Sequence, residues 1–212
     1  LTCASSFAYV KKTAGAAYYN PPADVLDAPG CNAGGAQSGI MTAIALGNAA
    51  VRPYQFDVRK PADRAAAPMD SYFETGMSPF ATEANSKQIW HAVAYAGNLI
   101  KLLTPYLLGT AGNSPGYGRN ITSAVRTNEY GDKMVMIVNA NDWARQIDVD
   151  LSPYSSLAGS GLVTEITRYR LSADGLKTDA IPASKGESLL LAAGETVVYV
   201  FPNQDVWKKR LQ

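Results

Sequence analysis

AIALGNAAVRPYQFD, residues 43–57, is the stretch whose reading decides the fold. It starts as the end of a helix, breaks at Gly47-Asn48 and becomes a strand. Upstream, Ile40, Met41, Ile44 and Ala45 make one apolar stripe at helical spacing, so a helix is expected from Ala36 to Asn48. Val51 to Val58 reads as a strand, with Val51, Pro53, Gln55 and Asp57 on one side and Arg52, Tyr54, Phe56 and Val58 on the other. Pro53 calls for a bulge or an edge position. Residues 59–82 hold Pro61, Pro68, Gly76 and Pro79 and read as a long loop. A second helix is expected from Glu83 to Thr104, where Ile89, Val93, Ala96, Ile100 and Leu103 recur at steps of three and four, with Pro105 as its stop.

Helix, strand, long loop and helix in this order are the alternation of β/α units. Phe7 to Val10 could supply an earlier strand, and the Pro- and Gly-rich run that follows it reads as loop as far as Gly35. After Gly112, Gly116 and Gly118, expected to form a flexible link, short strands follow. They are Thr122–Glu129, Lys133–Asn139, Arg145–Leu151, Leu162–Leu171, Ser188–Leu191 and Glu195–Phe201. The fold class expected is α/β plus all-β: the last units of a (β/α)8 barrel over residues 1–109, an antiparallel β-sandwich over 110–205 and a tail over 206–212. A barrel needs eight units, and 212 residues leave room for about two beside the sandwich. The barrel part is therefore expected to be incomplete alone, its remainder coming from a preceding segment or an associated chain.

Composition excludes several function classes. The net charge is +1 and Lys and Arg are scattered, so no nucleic-acid partner is expected. No apolar run reaches the roughly 18 residues that cross a bilayer, so no membrane partner is expected either. Cys3 and Cys31 are the whole thiol inventory. They either pair, closing a loop of about 28 residues worth roughly 3 kcal/mol, or remain two unlinked buried thiols. Asn120-Ile121-Thr122 is a glycosylation sequon. A secreted or periplasmic location is expected. No His or Cys cluster has metal-ligand spacing, and no cofactor is expected. His91, the single histidine, has no nucleophile pattern beside it and reads as structural. Gly34-Gly35-Ala36-Gln37-Ser38-Gly39 lacks the Lys-Ser/Thr of a phosphate loop.

Three stretches resemble the C-terminal part of a (β/α)8-barrel glycoside hydrolase with an appended β-sandwich. IALGNAAVRPYQFD resembles the helix before the eighth strand and that strand. QIWHAVAYAGNLIKLLTPYLLG resembles the final barrel helix, and KMVMIVNANDWARQIDVDL an early sandwich hairpin. The resemblance implies a carbohydrate substrate and hydrolysis of glycosidic bonds by two carboxylates. In that class these stand at the ends of the fourth and seventh strands. The fourth strand is not in this chain, and no Glu ends Phe7–Val10. The catalytic pair is thus expected mainly outside these 212 residues.

Barrel sites open at the C-terminal ends of the strands, here Gln55–Asp57 and the 59–82 loop. Tyr54, Asp57, Tyr72 and Glu74 are the right types to stack on sugar rings and grip hydroxyls, and are the expected substrate-binding residues. Each has a plainer role beside that one: a salt bridge to Arg52 or Arg59 or a turn cap for Asp57, a solvated loop acid for Glu74, core packing for Tyr54. The alternative is a non-enzymatic carbohydrate-binding or scaffolding sandwich, with an aromatic face drawn from Tyr130, Trp143, Tyr154 or Tyr169.

Overall fold

A computed structural model describes residues 3–5, 33–47, 50–52, 84–141, 143–154, 165–182 and 186–203. Within them lie two helices, α1 (Ala33–Ala45) and α2 (Ala84–Leu107), and ten strands. The strands are β1 (Cys3–Ser5), β2 (Ala50–Arg52), β3 (Thr110–Ala111), β4 (Ile121–Thr127), β5 (Lys133–Asn139), β6 (Arg145–Asp150), β7 (Glu165–Ser172), β8 (Gly175–Pro182), β9 (Gly186–Leu191) and β10 (Thr196–Phe201).

β1 and β2 are parallel neighbours, with Ser5 opposite Arg52, and α1 lies between them in the chain. A parallel pair cannot be closed by a tight turn, and the helix is the return path. The remaining strands form a six-stranded sheet, β3-β4-β5-β10-β7-β8, and a two-stranded sheet, β6-β9. All pairings in these two sheets are antiparallel.

The six-stranded sheet is the middle layer. On one face Ala124, Met134, Met136, Val138, Leu171 and Val198 pack against Ile40, Met41 and Ile44 of α1 and Ala96, Leu99 and Leu103 of α2. On the other, Val125, Val135, Ile137, Val197, Tyr199 and Phe201 pack against Ile147, Val149, Leu189 and Leu191 of the β6–β9 pair. Covering on both sides explains why β5 and β10 read KMVMIVN and TVVYVF, nearly continuous apolar runs, while β6 alternates apolar and acidic residues.

The stripe expected on α1 is buried as read. That on α2 is turned: its fully buried line is Ala92, Ala96, Leu99 and Leu103, while Val93 and Ile100 are only half-buried. Alanines sit at its centre because α1 packs close there. Helix α2 also runs through Pro105 to Leu107. The proline removes the donor to the Lys101 carbonyl, but Lys101, Thr104 and Pro105 are exposed, so water can replace it. The expected glycine link is pinned along β4: Gly112 N–H donates to the Val125 carbonyl at 2.9 Å, Val125 N–H to Ser114 Oγ at 3.3 Å, and Ser123 Oγ to the Pro115 carbonyl. Strands β3 and β8 were not anticipated, and β1 stands at residues 3–5. The reading of Phe7–Val10 as a strand lies outside the described residues.

Candidate functional site

Both helices run in the same direction. Near their starts, Gln37 Nε2 donates to the Ala92 carbonyl at 3.1 Å. Near their ends, Gly47 lies beside the Arg126 guanidinium, and Gly109 lies so close to Thr127 that a Cβ would stand 2.0 Å from its carbonyl oxygen. Helix α1 stops at Ala45, five residues before β2 begins at Ala50, so its C-terminus lies at the N-terminal ends of the parallel strands and its N-terminus at their C-terminal ends. The chain leaves β1 after Ser5 and β2 after Arg52, register partners about 4.8 Å apart. Ser5 and Arg52, the last described residues of the two strands, therefore stand side by side at one rim.

Tyr54, Asp57, Tyr72 and Glu74 all belong to the segment that leaves β2. They lie outside the described residues, as does Cys31, so the described part includes only one member of the Cys3–Cys31 pair. Asn120 is exposed, in a turn with φ 57° before β4, and its carbonyl accepts the Ala140 N–H at 2.8 Å.

The same end of the antiparallel sheets abuts the start of α1. A Cβ on Gly194 would stand 2.6 Å from the Gly34 carbonyl oxygen, and Gly194 N–H donates to Asn141 at 3.3 Å. Asn139, fully buried, organises this end. Its amide donates to the carbonyls of Trp143 at 3.0 Å and Ala192 at 2.8 Å, and its Oδ1 accepts from Asn141 N–H at 3.1 Å. Asn141 Nδ2 in turn donates to the Arg119 carbonyl at 3.3 Å. The frame presents Trp143, 54% exposed, to solvent. In sequence the Asn-rich turn was visible, but not that Asn139 is buried.

Two ion-pair groups tie strands together: one, centred on Arg168, links β9 to the middle sheet, and the other joins β7 to the start of β10. Arg168 Nη1 donates to both oxygens of Glu187, at 3.2 and 3.1 Å, and Nη2 to Asp179 at 3.2 Å. Burial alone would lower the Arg168 pKa, but the Asp179 hydrogen bond and the Glu187 charge outweigh it and the net shift is upward. Tyr199 donates its hydroxyl to Glu187, and burial, then that bond, push its pKa up. Arg170 binds Glu195 through Nε at 2.7 Å and Nη2 at 3.0 Å. These groups are bonded to one another, which is the arrangement of a brace.

The four aromatics expected to line one face do not. Tyr169 packs on the helix-side core, and Tyr154 against Phe201 with ring centroids 6.1 Å apart. Tyr130 and Trp143 stand beyond opposite ends of β5. His91 is exposed on α2 and stacks on Tyr95 at 6.2 Å. Among the described residues no three His, Cys, Asp or Glu are grouped to hold a metal, and no helix is long and apolar enough to cross a membrane.

No protein-family model matches the chain, and no curated protein matches it. Solved structures similar to it are glycoside hydrolases at low identity. The GH30 endoxylanase of Clostridium papyrosolvens C71 has 10% identity and a TM-score of 0.47, over 80% of this chain and 39% of that one. A putative alpha-galactosidase of Bacteroides fragilis NCTC 9343 has 13% and 0.45, over 82% and 29%. The alpha-amylase of Geobacillus thermoleovorans has 12% and 0.47, over 85% and 35%. The chain thus spans well under half the length of each of these three structures.

Proposed function

We propose that this chain is the C-terminal portion of a carbohydrate-active glycoside hydrolase, closing a (β/α)8 barrel with residues 1–109 and bracing it with the sandwich of 110–205. The observation that carries the reading is the parallel β1–β2 pair joined through α1, with α2 beside α1 in the same direction. A two-stranded parallel sheet has open edges and too little core to stand alone. It calls for further parallel strands, supplied by another segment. The rim at the ends of β1 and β2 is where a β/α site opens. Tyr54, Asp57, Tyr72 and Glu74 grip the sugar there, and the carboxylates that cleave the bond come from the completing segment. The Cys3–Cys31 disulfide, a glycan on Asn120 and a secreted or periplasmic location belong to the same proposal.

The test is hydrolysis of a panel of aryl-glycosides by the full-length protein, with Asp57→Asn and Glu74→Gln variants. The expected result is hydrolysis by the wild type and a KM raised about tenfold in each variant, as for a lost charged hydrogen bond. A full-length protein inert on every glycoside would overturn the reading.

A further inference from the structure

The last strand hands the chain on at a fixed point. Beyond Phe201 of β10, Asn203 N–H donates to Asp132 Oδ1 at 2.6 Å, and its side-chain amide to the Tyr130 carbonyl at 2.7 Å. Gly131 has φ 81°, and a Cβ there would overlap the Asn203 amide, so glycine is what lets Asn203 seat on the β4–β5 turn.

The same end of the sheet meets the end of α2. Phe201 stands opposite Lys133, Lys133 opposite Thr127 and Thr127 opposite Thr110, one row across four strands. At about 4.8 Å between strands the row is about 14 Å long. Leu108 lies two residues before Thr110 and is 83% exposed, the most open large apolar side chain among the described residues. So open a leucine forgoes its burial gain. Tyr106 feels the charge of Asp132, so the end of α2 and the β4–β5 turn face each other.

The ends of the two helices differ in charge. The end of α1 has the Arg126 guanidinium beside Gly47, whereas α2 has no basic residue in its last turn. Carbonyls that end a helix carry partial negative charge. Glu129 and Asp132 of the β4–β5 turn add two carboxylates, against one lysine, Lys133. Residues 204–212, QDVWKKRLQ, follow Asn203 and lie outside the described residues. They combine the apolar pair Val206-Trp207 with the cluster Lys208-Lys209-Arg210. Extended chain at about 3.3 Å per residue carries Trp207 about 13 Å beyond Asn203, which is the length of the row.

We propose that residues 204–212 dock on the end of α2, with Trp207 covering Leu108 and Lys208-Lys209-Arg210 facing the carbonyls that end the helix, as a clasp tying the last strand to α2. This stands apart from the hydrolase reading. The test is limited trypsin digestion of the full-length protein, with cleavage after Lys208, Lys209 and Arg210 followed by mass spectrometry. Cleavage there should be at least about tenfold slower in the wild type than in Leu108→Asp, because a docked segment must lift off before a protease takes it. Leu108→Met should keep the protection. Trp207→Ala should lose it and lower the melting temperature by about 3 °C. Far-UV circular dichroism checks that the variants fold, and Trp207→Ala carries the comparison if Leu108→Asp does not. Protection that persists in Leu108→Asp, or equal cleavage of wild type and Trp207→Ala, would overturn the clasp.

Discussion

Gly194 and Gly34 touch backbone to backbone: a Cβ on Gly194 would stand 2.6 Å from the Gly34 carbonyl oxygen and 2.8 Å from its Cα. Through this contact the β9–β10 turn carries the start of α1, and with it the orientation of the parallel strands relative to the antiparallel sheets. Gly194 also has φ 71°, a conformation that side chains disfavour. Gly194→Ala should therefore cost about 2–4 kcal/mol, combining backbone strain with the clash. Urea unfolding of the full-length protein measures it, and a loss under about 1 kcal/mol would mean that turn and helix part easily.

Asn139 is a second point of dependence. Truncation removes the donor to the Trp143 and Ala192 carbonyls and the acceptor for Asn141 N–H. Asn139→Ala should cost about 2–3 kcal/mol, since buried polar groups are left unpaired. It should also loosen the turn, seen as a red shift of Trp143 emission before global unfolding. An unchanged spectrum would show the turn held by other contacts.

Arg170 and Glu195 should respond unequally. The Glu195 side chain is 5% exposed and that of Arg170 31%. Arg170→Met leaves a buried carboxylate without its cation, at about 2–4 kcal/mol. Glu195→Gln leaves a guanidinium that water can reach and keeps an oxygen for the Ala192 N–H bond, now 2.8 Å, at about 1 kcal/mol. Equal losses in thermal melts of the two variants would contradict this asymmetry.

Alkaline pH should destabilise the fold. Burial, then the Asp132 charge, pushes Tyr106 up to about 12; burial, then Tyr154, does the same for Tyr117. Both phenols ionise near 10 once unfolded. The raised folded value means that this stabilisation is fully present below about pH 10 and is lost as pH rises toward 12. Tyr106→Phe/Tyr117→Phe should flatten the fall of the urea midpoint between about pH 9 and 11. An unchanged slope would assign the alkaline loss to other groups.

The strands legible in sequence are those whose side-chain pattern reports their surroundings. Lys133–Asn139 was read with the observed bounds, and Thr196–Phe201 within one residue, because covering on both faces demands an unbroken apolar run. Strand β8 was missed because Gly175–Pro182 is an edge strand paired only with β7, and few of its residues need burial. Its signal was the two-residue Ala173-Asp174 turn before Gly175, which closes the β7–β8 hairpin. On α2 the expected stripe included Ala96 and Leu103, both fully buried, but it took Val93 and Ile100 for core positions that Ala92 and Leu99 occupy. Periodicity marks a stripe but not how near the neighbouring helix comes.

For the candidate site the division is sharper. Sequence alone marked the Gly47-Asn48 break, the return to a strand at Val51 and the aromatic and acidic residues that follow it, because these depend on local spacing and chain chemistry. Tertiary structure decided that β1 and β2 are parallel, that α1 and α2 run together and that the Trp143 turn lies at the end where the strands open. Those relations join residues far apart in the chain. They are set by which apolar faces cover each other, a choice that no local pattern encodes.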